Sequence, residues 1–117
     1  MKFLMILNDP PYGTERVYNG LRLATSLLAK PAPAEVSLFL MGDAVSAAKL
    51  GQQTPNGYYN VERMLTGVVR KGGAVKVCGT CMDARGLTDP ELGEGAARST
   101  MDELAELTVT ADKVLVF

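Results

Sequence analysis

Cys78 and Cys81 are the only cysteines of the protein, and both lie in the stretch Ala74 to Gly86, Ala-Val-Lys-Val-Cys-Gly-Thr-Cys-Met-Asp-Ala-Arg-Gly. A thiol does sulfur chemistry as its thiolate, and a free cysteine with a pKa of about 8.5 needs a positive neighbour or a helix N-terminus to ionise at neutral pH. Two cations have suitable spacing. Lys76 stands two residues before Cys78, on the same face of a strand, and Arg85 four after Cys81, on the same face of a helix. Asp83 works the other way: its carboxylate either raises a nearby thiol's pKa or pins Arg85, and spacing leaves both open. Cys78 is therefore the candidate nucleophile, with Lys76 and Arg85 as candidate thiolate supports. Cys81 either resolves a persulfide or sulfenate on Cys78 into a disulfide or only starts a helix.

Other readings of the pair have to be weighed beside this one. Free cysteine is often a small apolar side chain packed under a loop. A Cys-x-x-Cys step after a strand also suits a thioredoxin-type dithiol, although the surrounding order of elements does not follow that pattern. Histidine is absent, which excludes hydrolytic triads and His-rich zinc sites. Four cysteines for zinc would need more than one chain, so no metal is expected. No Gly-x-Gly-x-x-Gly or Walker pattern is present, so no nucleotide cofactor is expected either.

The elements that must position the thiols follow from periodicity. Ala74 to Val77, with two β-branched valines, reads as a strand opened by Gly72-Gly73. Cys78 lies at its carboxyl end. Gly79 lets the backbone turn without a Cβ clash, and Thr80 is placed to cap a helix near Cys81. Upstream, Lys2 to Leu7 reads as a strand covered on both faces, and Asn8-Asp9-Pro10-Pro11-Tyr12-Gly13 as a turn-rich loop. Thr14 is the expected cap of a helix whose stripe Val17, Leu21, Ala24 and Leu28 runs to about Ala29, where Lys30-Pro31-Ala32-Pro33 stops it.

Glu35 to Met41 reads as the second strand, and Asp43 as the cap of a short helix Ala44 to Leu50. Gly51 to Asn60, with Tyr58-Tyr59, reads as a loop suited to contacts with another chain. Val61, Met64, Leu65, Val68 and Val69 form the cleanest amphipathic helix, ended by Arg70, Lys71 and the glycines. Leu87 to Gly95 reads as loop, Ala96 to Arg98 as a short strand, and Ser99 or Thr100 as the cap of a helix carrying Met101, Leu104, Ala105 and Thr108. Lys113 to Phe117 closes the chain as a strand. The alternation is that of an α/β protein with a parallel sheet and right-handed crossovers. In such sheets ligands bind outside the carboxyl ends of the strands, so Asn8 to Gly13, Gly42-Asp43 and Cys78-Gly79 should converge on one rim.

A chain of 117 residues fits one domain, and such a domain buries roughly two-thirds of its unfolded surface. Twelve basic against 13 acidic residues give a net charge of −1, which argues against nucleic acid or anionic membrane as partner. The apolar run Phe3 to Leu7 is too short for a signal-peptide core, and no stretch approaches the roughly 20 apolar residues of a membrane helix. A cytoplasmic location is therefore expected, where a Cys-x-x-Cys pair is reduced, reactive or metal-bound rather than a structural staple.

The sequence resembles the DsrE/DsrF-like family, in its YchN-like branch, over nearly its whole length. The residues that carry the likeness are Asn8 with Pro11-Tyr12-Gly13 and Glu15, Leu21-Arg22-Leu23-Ala24, Phe39-Leu40-Met41 with Asp43-Ala44-Val45, Cys78-x-Thr80-Cys81-x-Asp83-x-Arg85-Gly86, and Ala111-Asp112-Lys113-Val114-Leu115. The resemblance implies a single-domain flavodoxin-like parallel sheet of four to five strands flanked by helices on both faces. It also implies assembly of like chains into a trimer or hexamer. Its better-understood branches imply a cysteine, here Cys78, that accepts sulfur as a persulfide and passes it on, a sulfurtransferase-type relay. The expected partners are then sulfur donor and acceptor proteins or small thiols. The expected site is Cys78 and Cys81 with Lys76, Gly79, Arg85, Asn8, Tyr12, Gly13 and Asp43. The non-enzymatic alternative is an oligomeric binding or scaffold protein whose cysteines are silent.

Overall fold

The computed structural model describes residues 1–32 and 34–117. Its elements are β1 (Lys2–Leu7), α1 (Arg16–Leu28), β2 (Glu35–Leu40), a 3-10 helix (Gly42–Ala48), α2 (Val61–Arg70), β3 (Ala74–Cys78), α3 (Gly79–Ala84), a 3-10 turn (Asp89–Glu91), β4 (Ala96–Ser99), α4 (Met101–Thr110) and β5 (Lys113–Val116). The five strands form one sheet in the order β4-β3-β2-β1-β5, with every pairing parallel. The α/β layering and parallel direction are as expected from the sequence. The strand order refines the flavodoxin comparison: the chain reverses its march across the sheet between β1 and β5, not between β1 and β3.

That order decides which face each helix covers. The connections from β1 through β4 all step one way and the last steps back, so right-handed crossovers put α4 opposite the others. Gly20 of α1 lies against Leu7, and Leu65 and Val69 of α2 lie beside Val75. On the other face, Leu107 and Ala111 of α4 border Leu4 and Ser37. Leu4 pairs with Ser37 and Ser37 with Ala74, so alternation puts Lys76 and Cys78 on the α4 face as well. The core lies mainly between the sheet and the first face, where Leu7, Val17, Leu21, Leu38, Val45, Val68 and Val77 are wholly buried. Each such side chain contributes about 1.5–3 kcal/mol relative to exposure.

Helix ends follow local chemistry. Asn60 caps α2 by accepting the Arg63 N–H at 3.1 Å. Gly72, at φ +95°, closes it in a Schellman turn with Gly73 N–H to Val68 O and Gly72 N–H to Val69 O. Thr100 caps α4, as its position in the sequence implies, by accepting the Glu103 N–H at 3.2 Å. Three expected caps differ. Thr14 lies one residue outside the N-cap Glu15 and accepts only a long 3.4 Å bond from the Arg16 N–H. Asp43 sits inside a 3-10 helix whose N-cap is Met41, and its carboxylate is taken by Arg85. Thr80 sits inside α3, which starts at Gly79. The expected loop after Gly86 contains a 3-10 turn closed by Thr88 and Glu91 in a capping box. Pro33, counted among the residues that stop α1, lies outside the described residues.

Candidate functional site

β3 delivers Cys78 to the carboxyl rim of the sheet, and the chain turns directly into α3, so the strand's last residue is also the helix N-cap. Cys78 is only 6% exposed. Burial pushes its thiol pKa up, as does a hydrogen bond to the Cys81 thiol, while the amides of Cys81 and Thr80 pull it down by less. Cys81, one turn into α3, is half-buried. Its Sγ accepts the Gly42 N–H at 3.2 Å.

This corrects the expected electrostatics. Lys76 shares the face of Cys78, but its Nζ lies 3.6 Å from Glu103 Oε2, and the other oxygen of that carboxylate accepts the Ser99 hydroxyl. Arg85 donates Nε and Nη2 to Asp43 Oδ1 at 2.9 and 2.8 Å and Nη1 to the Cys81 carbonyl at 3.1 Å. Each cation has a carboxylate of its own, and the strand end beneath α4 is desolvated. Cys78 is accordingly a neutral thiol near pH 7, with no cation among the causes of its shift.

Asp83, which spacing assigned either to Arg85 or to a thiol, accepts from Arg98 Nη2 at 2.6 Å. Arg98 was not singled out in the sequence. It stands on β4 opposite Val77, and its second carboxylate, Asp89, is 3.5 Å away. Its side chain lies so close over the turn that a Cβ on Gly79 would come 2.9 Å from its Nε. Gly79 is thus a close-approach residue rather than a turn in the left-handed region. The only hint in the sequence was a basic residue ending a short strand, which most often means a surface position.

The rim brings together part of the expected set. Gly42, at φ +57°, sits where a Cβ would be 3.3 Å from the Asn8 carbonyl, and its amide reaches Cys81. Asn8, Gly42, Asp43, Cys81 and Arg85 therefore form one contact chain beside Cys78. Asn8 itself is tied to the end of β5 by its N–H to Phe117 O at 2.8 Å.

Tyr12 and Gly13 belong elsewhere. The Tyr12 hydroxyl donates to Gln52 Oε1 at 2.6 Å and accepts the Val61 N–H at 3.0 Å, fixing the loop before α2. Gly13 lines an open cleft with Tyr18, Tyr58 and Tyr59, in which Tyr59 stacks on Tyr18 at 4.3 Å and on Tyr12 at 5.8 Å. No group of three metal-ligating side chains occurs among the described residues. No helix among them is long and apolar enough to cross a membrane.

Comparison with known proteins agrees with this architecture. The model of the DsrE/DsrF-like family matches residues 1–117. The protein YchN of Escherichia coli K12 is 41% identical over 116 residues, covering 99% of this chain and 98% of its own. Its crystal structure superposes with a TM-score of 0.92 over 100% of this chain and 99% of that one. The protein MJ0989 of Methanocaldococcus jannaschii is 39% identical over 117 residues, the full length of both chains. The structure of MTH1491 from Methanobacterium thermoautotrophicum, only 13% identical, shares the fold with a TM-score of 0.78 over 99% of this chain and 97% of its own.

Proposed function

The chain belongs to the DsrE/DsrF-like family, and from that premise we propose that it is a sulfur carrier, holding sulfane sulfur as a persulfide on Cys78 and surrendering it to an acceptor thiol. The family is associated with sulfur relay. The observation that carries the reading is two free thiols one helical turn apart at the carboxyl rim of a parallel sheet, with a backbone amide on the outer one. Loading forms a bond from the protein sulfur to the outer sulfur of a donor R–S–SH, and the donor's S–S bond breaks with R–S⁻ leaving. Unloading is the same displacement by an acceptor thiolate, with the Cys78 thiolate as leaving group. No net oxidation occurs in either step. Arg85 serves as a positioning residue, tying α3 through the Cys81 carbonyl to the Asp43 loop.

Donor and acceptor are thiol-bearing proteins or small thiols, and the reducing cytoplasm is the setting in which such a pair stays free. Met101, Val109, Val114 and Val116 leave apolar surface exposed on α4 and β5, the surface through which we propose that copies of the chain assemble as a trimer or hexamer.

Intact mass after incubation with glutathione persulfide tests the carrier. The expected result is one added sulfur atom that peptide mapping finds on Cys78, removed by dithiothreitol and absent from the Cys78→Ser/Cys81→Ser double variant. A dithiol redox role is the second reading, favoured by the same pair of free thiols one helical turn apart. A Cys78–Cys81 disulfide with no added sulfur would select it over the carrier.

A further inference from the structure

The two thiols are not equivalent, and their inequality assigns an order to the chemistry. Cys78 lies under the rim at 6% exposure, whereas Cys81 is half-buried on the outer side of the pair. Cys81 Sγ takes a hydrogen bond from the Gly42 amide at 3.2 Å. An amide aimed at sulfur holds the side chain in one orientation. The Arg85 hydrogen bond to the Cys81 carbonyl fixes the backbone that carries it. Thioredoxin-type motifs are generally pictured with the leading cysteine outermost; in this chain the trailing cysteine has that place.

We propose that Cys81 is the entry thiol, which meets the donor persulfide first and passes its sulfur inward to Cys78. The inference rests on the carrier reading and adds a step to it. In the first displacement Cys81 sulfur bonds to the outer sulfur of R–S–SH, the donor S–S bond breaks, and R–S⁻ leaves with the proton that Cys81 loses. In the second, Cys78 sulfur bonds to the outer sulfur of Cys81–S–SH, and the new S–S bond to Cys81 breaks. The Cys78 proton passes to the departing Cys81 sulfur. Two thiols and one sulfane sulfur enter and leave, so no oxidant or reductant is consumed. The buried position of Cys78 then has a use: the stored persulfide is shielded from stray thiols that would strip it, while the outer thiol keeps the site open to the donor.

Two measurements on the full chain test the order. Alkylation by monobromobimane at pH 7.5 (chosen near neutrality, about where a free thiol begins to ionise), followed by peptide mapping, should label Cys81 at least tenfold faster than Cys78. Equal or faster labelling of Cys78 would overturn the assignment. With glutathione persulfide, Cys81→Ser should gain sulfur at least tenfold more slowly than the wild type, and Cys81→Ala should behave alike if the loss is chemical rather than structural. In Cys78→Ser the added sulfur should map to Cys81 and be lost to added glutathione at least tenfold faster than from the wild type. Wild-type loading of Cys81→Ser, with the sulfur on Cys78, would overturn the entry step and leave the carrier intact. No sulfur on either thiol of the wild type would instead overturn the carrier reading itself.

Discussion

The two faces of this sheet are covered unequally. On one, α1 and α2 lie side by side with the 3-10 helix Gly42–Ala48, burying Val17, Leu21, Ala24, Val61, Leu65, Val68, Ala44, Val45, Ala47 and Ala48. On the other, α4 crosses alone and buries only Leu104. Connection geometry is the cause: the crossovers after β1, β2 and β3 fall on one side, and only the return to β5 falls on the other. The well-covered face carries the stability of the domain. The thinly covered one carries Cys78, Lys76 and an exposed apolar strip, and is where the proposed chemistry and assembly would have room.

The sharpest way to break that comparison is to truncate an apolar side chain to alanine on each face. Leu21→Ala, at a wholly buried site on α1, should cost about 2–5 kcal/mol in urea unfolding. Val109→Ala on α4, 85% exposed, should change stability by no more than about 0.5 kcal/mol, because alanine favours a helix and little packing is lost. A cost at Val109 near that at Leu21, independent of protein concentration, would mean that α4 packs as deeply as α1. A cost that vanishes on dilution would locate the assembly surface there.

A helix with one buried side chain depends more on its ends. Thr100 accepts the Glu103 N–H, and its neighbour Ser99 donates to the Glu103 carboxylate that also holds Lys76. Thr100→Ala should cost about 1 kcal/mol, with amide hydrogen exchange rising first in Met101–Leu104 while α1 keeps its protection. Uniform loss of protection across both helices would show that the two faces unfold as one unit.

The helices and strands of this division were legible in the sequence, but not which face each helix covers, because that follows from the strand order. The periods of Val17 to Leu28 and Val61 to Val69 gave α1 and α2 their buried stripes, and the strand runs set β1, β3 and their direction. The rim was legible too, because parallel strands end at one edge. The electrostatics were not. Same-face spacing put Lys76 near Cys78, but spacing within one strand says nothing of Glu103 arriving from α4, nor of Asp43 reaching Arg85 from another loop. Arg98 was invisible for the same reason: its partners Asp83 and Asp89 are distant in sequence and meet it only in the fold. Thr14, Asp43 and Thr80 were plausible caps by residue type, and each was displaced by a residue or two where a tertiary contact or a tighter turn set the helix start.

The smallest expected effect concerns the thiol on the thin face. Cys78 has its folded pKa raised above an unfolded value of 9.0, chiefly by burial and then by its bond to Cys81. The folded state therefore holds this proton more tightly than the unfolded one. Its contribution to stability is complete below pH 9.0 and is lost as pH rises from there through the folded pKa. Urea midpoints taken under reducing conditions on either side of that value should fall more steeply with rising pH in the wild type than in Cys78→Ser. Alkylation of Cys78 should likewise keep accelerating as pH rises through that value, without levelling off there, since the thiolate is the reactive form. Identical slopes, or Cys78 alkylation that saturates near neutrality, would mean that the inner thiol is ionised in the native chain. The inner sulfur would then be open to donors without help from Cys81, and the inequality between the two positions would disappear.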